Sequence, residues 1–119
     1  MKTKKRLIGD WGEEKACQVL KQQGFVIIDR NFSCKLGEID IIAVKNGIIS
    51  FTEVKTRNRI DYGLPCQAVD CSKQRRIRNT AEYYMKINKW CVDLQPSFDI
   101  FELLILDSGV YYRFLKNAF

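Results

Sequence analysis

The chain has 119 residues, 46% hydrophobic and 29% charged, with a net charge of +6. That is one domain's length with core-forming residues in ordinary proportion, which excludes a disordered or low-complexity chain. No uncharged apolar run approaches the ~18 residues of a membrane helix, and the absence of histidine excludes imidazole-based hydrolases and leaves zinc only scattered thiolates.

In chain order, the basic start Met1–Arg6 is followed by Asp10, Glu13 and Glu14, where a signal peptide would be apolar. Residues 1–7 are therefore expected to be a basic arm of a cytoplasmic protein. Residues 9–23 are predicted as a helix, since Ala16, Val19, Leu20 and Gln23 keep helical spacing and Gly24 supplies a stop. On its stripe Gly9, Glu13, Ala16, Leu20, the carboxylate of Glu13 falls near the helix start, where the dipole favours negative charge. Phe25–Ile28 opens a strand that runs towards Phe32. Two β-rich runs, Gly37–Lys45 and Ile48–Lys55, are joined by Asn46-Gly47, the dipeptide preferred in a two-residue hairpin turn.

Arg57 to Val69, with Gly63 and Pro65, reads as a loop. A second helix follows, capped by Asp70 or Ser72, with Ile77, Ala81, Tyr84 and Met85 as its apolar stripe. Phe98–Leu106 and Val110–Leu115 form a closing hairpin around Ser108-Gly109. The order α-β-β-β-α-β-β predicts one α/β domain over residues 1–119 with a mixed sheet. Five cysteines (17, 34, 66, 71 and 91) without a C-x-x-C pair read as reduced, small apolar residues. Residues 55–89 hold nine basic and three acidic side chains, so the whole positive surplus sits there, and a polyanion is the expected partner.

The hairpin places chemistry. With Asn46 and Gly47 as the loop, Asp40 faces Glu53 and Glu38 faces Lys55, and opposed side chains share a face. Glu53 and Lys55, two apart on one strand, share a face in any register. Ile42, Val44, Ile49 and Phe51 lie on that face, while Ile39, Ile41, Ala43 and Val54 lie on the other, so the hairpin is expected to be central and covered on both sides. Two carboxylates about 5 Å apart repel by roughly 3 kcal/mol at an effective dielectric near 20. Such a pair needs a proton or a cation, and hard oxygen ligands favour magnesium or manganese.

A helix carrying a glutamate, then D-x(12)-E-x-K on a hairpin, resembles the PD-(D/E)XK nuclease superfamily of restriction enzymes and archaeal Holliday-junction resolvases. Nearly the whole chain is similar to the YraN-like family of uncharacterised bacterial proteins: Gly9-x3-Glu13-x2-Ala16, Gly24-Phe25, Arg30-Asn31-Phe32, Gly37-Glu38-Ile39-Asp40, Phe51-x-Glu53-Val54-Lys55-x-Arg57, Lys73, Phe98-Asp99 and Asn117-Ala118-Phe119. Ile39 stands where the superfamily's name has proline, and Ser97 where the close family is expected to carry arginine.

The resemblance implies a restriction endonuclease-like three-layer domain with helices on both faces of a mixed sheet. It implies Mg2+ or Mn2+ held by Asp40, Glu53 and the Val54 backbone carbonyl, with Glu13 as a further ligand or the holder of a bound water. Lys55 would orient or help deprotonate the attacking water, with Glu38 and Gln74 supporting. Arg57, Lys73, Arg75, Arg76 and Arg78 would contact nucleic acid. The expected activity is metal-dependent hydrolysis of DNA phosphodiesters, branched or junction DNA favoured, by a homodimer. The alternative is a nucleic-acid-binding or partner-binding protein that keeps the fold without turnover.

Overall fold

The computed structural model describes residues 3–57 and 69–119, with only the backbone at Lys5. The elements are α1 (Lys4–Gln22), β1 (Val26–Cys34), β2 (Gly37–Lys45), β3 (Ile48–Arg57), α2 (Cys71–Ile87), a 3-10 turn (Lys89–Cys91), β4 (Gln95–Leu106) and β5 (Gly109–Leu115). Most of the expected loop at 57–69, Cys66 included, lies outside the described residues. Two boundaries differ from the sequence reading by three residues or more. The first helix begins at Lys4 rather than residue 9, because the Thr3 hydroxyl accepts the Arg6 N–H at 3.2 Å and caps it there. Much of the expected N-terminal arm is therefore the helix's first turn. The fourth strand begins at Gln95 rather than Phe98, where the Gln95 N–H finds the Gly47 carbonyl at 2.9 Å.

The strands form one sheet in the order β1-β2-β3-β4-β5, antiparallel except for the parallel β3–β4 pair that α2 bridges. The sheet is thus mixed, and each helix covers one face. Ile41, Ala43, Phe101 and Leu103 pack with Ala16, Val19 and Leu20 of α1. Ile42, Ile49, Phe51 and Ile100 pack with Ile77, Ala81 and Tyr84 of α2. Consecutive β2 residues thereby feed opposite cores, as an internal strand requires. Met85, expected on the α2 stripe, is half-buried at the edge of that core.

Asn46 (φ 50°) and Gly47 (φ 78°) are the two left-handed residues of the hairpin turn. They set the expected register, with Lys45 opposite Ile48 and pairing continued to Ile41 opposite Thr52. There the ladder stops. The Val54 N–H, which a further ladder step would use, donates instead to Asp40 Oδ2 at 2.8 Å. Beyond this point Ile39 departs from the expected alternation. It packs in the α2 core, where Phe32, its partner on β1, also lies.

Candidate active site

The site sits where β2 and β3 part company. Asp40, Glu53, Val54 and Thr56 line a cleft of about 650 Å³ whose other wall is α1, through Lys4, Ile8, Gly9 and Glu13. The three acidic side chains expected together thus reach one cleft. Among the described residues, however, no three acidic or thiol side chains close into a single metal-sized cluster. Glu13 Oε1 is buried without a hydrogen-bond partner. Burial raises the Glu13 pKa against the lowering effect of Arg30.

Asp40 is the most perturbed acid of the group. Desolvation first, and the Glu53 charge second, push its pKa up to about 7, and the Val54 N–H only partly opposes them. Glu53 is 8% exposed and takes the Lys73 ammonium at 2.8 Å, with Lys55 Nζ at 3.8 Å from the same oxygen. The two lysines divide one carboxylate unequally. Burial and the neighbouring Lys73 charge lower the Lys55 pKa. Burial also disfavours the charged form of Lys73, but its hydrogen bond to Glu53 and that carboxylate's charge outweigh it and raise its pKa. The site therefore holds an acid that is reluctant to ionise beside an amine that is reluctant to stay charged.

Lys73 reaches Glu53 because Asp70 caps α2, its carboxylate accepting the Lys73 N–H at 2.8 Å, so that the first turn points the side chain at the sheet. Of the expected caps, Asp70 takes the role and Ser72 does not. Gln74 supports this turn by donating to the Val69 carbonyl at 2.9 Å and does not reach the carboxylates. Glu38 does not pair with Lys55 as the hairpin register had placed it, because the ladder ends before Glu38. Glu38 is exposed and lines a neighbouring groove with Lys73 and Arg76.

The remaining cations scatter. Arg57 is turned inward, its Nε 3.0 Å from Glu102 Oε2, and only 11% of its side chain is exposed. Glu102 is fully buried, and Arg113 holds its other oxygen. Arg75 and Arg76 are exposed. Arg78 instead lies over the rings of Phe98 (4.7 Å) and Phe119 (5.7 Å), away from the carboxylates. Where arginine was expected, Ser97 donates at 2.5 Å to the buried Asp99, which also accepts the Asn117 N–H at 2.8 Å. That pairing ties the last residues to β4.

Sequence reasoning overlooked two positions. Asn31, left-handed at φ 55°, lines a groove with Glu13 and Asp40 from β1; asparagine's tolerance of that conformation was the available signal. Gly12 lets α1 approach β3 so closely that a Cβ there would lie 2.6 Å from Thr56 Oγ1. Only the three-dimensional seating of the helix reveals it.

The model of the uncharacterised protein family UPF0102 matches residues 12–103, a span that includes Glu13, Asp40, Glu53, Lys55 and Lys73. A UPF0102 protein of Clostridium perfringens is 46% identical over 121 residues, covering 100% of this chain and 98% of the relative. One from Caldicellulosiruptor saccharolyticus is 41% identical over 97% of this chain and 98% of its own. One from Dictyoglomus turgidum is 40% identical over 94% and 96%. With likeness of this extent along both partners, the chain belongs to the uncharacterised protein family UPF0102.

Proposed function

We propose that the protein is a divalent-metal-dependent endonuclease that hydrolyses DNA phosphodiester bonds, with branched or junction DNA as the favoured substrate, on a restriction endonuclease-like fold of the PD-(D/E)XK type. The observation that carries this reading is the crowding of Asp40 against Glu53 in a half-buried cleft with Lys55 at its side. Like charges so placed disfavour each other, and a hard cation is the ligand that reverses the sign of that interaction.

The donor set suits Mg2+ or Mn2+. Asp40, Glu53 and the Val54 carbonyl would hold the ion, and the unpartnered Oε1 of Glu13 would face it across the cleft, through water. Such an ion supplies Lewis-acid polarisation of the phosphoryl oxygen and offsets the charge that develops there. The chain's own residues do the rest. Lys55, its ammonium form disfavoured by burial, is suited to orient the attacking water and accept or share its proton. Lys73, now on Glu53, is the cation that must yield or turn towards a phosphate when the site loads. Arg76, in the adjoining groove, would steady the DNA backbone. Cutting both strands asks for two such sites, hence a homodimer.

A second reading has one observation in its favour. The Lys73–Glu53 ion pair already neutralises one carboxylate, as a non-catalytic nucleic-acid-binding or partner-binding protein would arrange it. Incubation with linear, single-stranded and four-way-junction DNA, with Mn2+ or with chelator, separates the two. The endonuclease reading expects products only with metal, none from Asp40→Asn, and DNA binding by that variant at least as tight as by the parent. Binding without products in any metal would leave the non-catalytic reading standing.

A further inference from the structure

A second cleft, also about 650 Å³, opens beside the C-terminal half of α2, whereas Lys73 and the candidate active site lie at that helix's first turn. Its floor is apolar, formed by Ala81, Met85, Val92, Pro96 and Phe98. Val92 is 70% exposed, and Trp90 and Ile87 beside it are more than half exposed, an apolar surface larger than scattered single residues explain. The rim is cationic: Arg78, Lys86 and Lys89. Its one acid, Glu82, is already paired with Lys86 at 3.2 Å. Among the described residues no carboxylate answers Arg78 or Lys89. The Arg78 guanidinium is held in place by the Phe98 and Phe119 rings.

An apolar floor under unanswered, partly preorganised cations is complementary to a ligand that is apolar at one point and acidic around it. We propose that this cleft docks an acidic partner peptide, which seats one bulky apolar side chain against Met85, Val92 and Phe98 and sets its carboxylates on Arg78 and Lys89. A nucleic acid suits it less. The faces of Phe98 are covered by Phe51 (5.8 Å), Phe119 (5.7 Å) and Arg78, so no base can stack there, and phosphates have no use for the floor.

The probe is a fluorescein-labelled peptide of four aspartates followed by tryptophan and leucine, titrated with the full chain at physiological salt and read by anisotropy. Control peptides replace Trp-Leu by Gly-Ser, or the aspartates by lysines. The proposal expects the first peptide to bind at least ~10-fold more tightly than either control. Arg78→Glu with Lys89→Glu, and separately Val92→Asp at an exposed position that leaves the fold intact by circular dichroism, should each weaken it by ~10-fold or more. Equal binding of the Gly-Ser peptide would reduce the cleft to a diffuse positive field and overturn the proposal. So would absence of binding, or a charge-reversed variant that loses duplex-DNA affinity while peptide binding is unmoved.

Discussion

Asp40 Oδ2 accepts the Val54 N–H at 2.8 Å, which favours the carboxylate, while burial and Glu53 favour the acid and prevail, bringing its pKa to about 7 from 3.8. A carboxyl whose folded pKa is raised stabilises the fold below its unfolded pKa, and that contribution is lost as pH rises through the folded value. Without metal, the loss between pH ~4 and ~7 amounts to roughly 4 kcal/mol at most. The thermal midpoint in chelator should therefore fall from pH 5 to pH 8. Asp40→Asn, which keeps an acceptor for Val54 but cannot ionise, should flatten that fall and raise the midpoint at pH 8. A variant less stable than the parent at pH 8 would show the carboxylate to be stabilising there. Glu102 instead sits between two cations. It is fully buried between Arg57 and Arg113, and Glu102→Gln removes the negative charge that these two guanidinium groups share. Breaking a buried pair from one side costs about 3–5 kcal/mol, to be read from urea midpoints; a cost below ~1 kcal/mol would mean that Arg57 swings out to water.

The helix α1 brings Glu13 to the cleft, and its distance from the sheet is set one residue earlier. At Gly12 a methyl group would stand 2.6 Å from Thr56 Oγ1, so Gly12→Ala must lift the helix or displace the threonine. Helix propensity alone favours alanine by ~1 kcal/mol. The expected outcome is nevertheless a destabilised protein with reduced cleavage, because Glu13 moves with the helix. Thr56→Ala removes the clashing oxygen and should rescue Gly12→Ala in both measurements; no rescue would mean that the strain lies elsewhere. This contact marks the limit of what the chain's pattern could tell. The Asn46-Gly47 turn and the alternation of Ile41, Ile42 and Ala43 are local and were legible as such, and the Asp70 cap was one of the two that the local pattern offered. The end of the β2–β3 ladder, which undid the Glu38–Lys55 pair, depends on the Asp40 side chain taking a backbone N–H. The inward turn of Arg57 depends on Glu102, on a strand joined through α2. Such facts arise between elements, where spacing along the chain carries no signal.

For the whole molecule, the five basic residues of α2, which with Glu82 give the helix +4 of the surplus, are spread around it rather than gathered on one side. Ile77, Thr80, Ala81 and Tyr84 are the buried residues of that helix. At ~100° per residue, Lys73 shares their side, Arg76 and Arg78 fall on opposite flanks, and Arg75 points away from the sheet. Arg76 shares a groove with Lys73, Glu38 and Gly37, next to the candidate active site. Arg78 borders the apolar cleft. DNA lying across Asp40 and Glu53 would thus meet Arg76 before Arg75. Each phosphate contact contributes ~0.9 to the slope of log affinity against log salt. Arg76→Ala should therefore lower that slope by about one, whatever the sequence of the duplex, and Arg75→Ala by clearly less. Anisotropy titrations between ~50 and ~200 mM salt, in chelator so that nothing is cut, measure both. Equal slopes for the two variants would mean that α2 acts through its overall field rather than through a defined track, and the path of DNA would have to be drawn along another face.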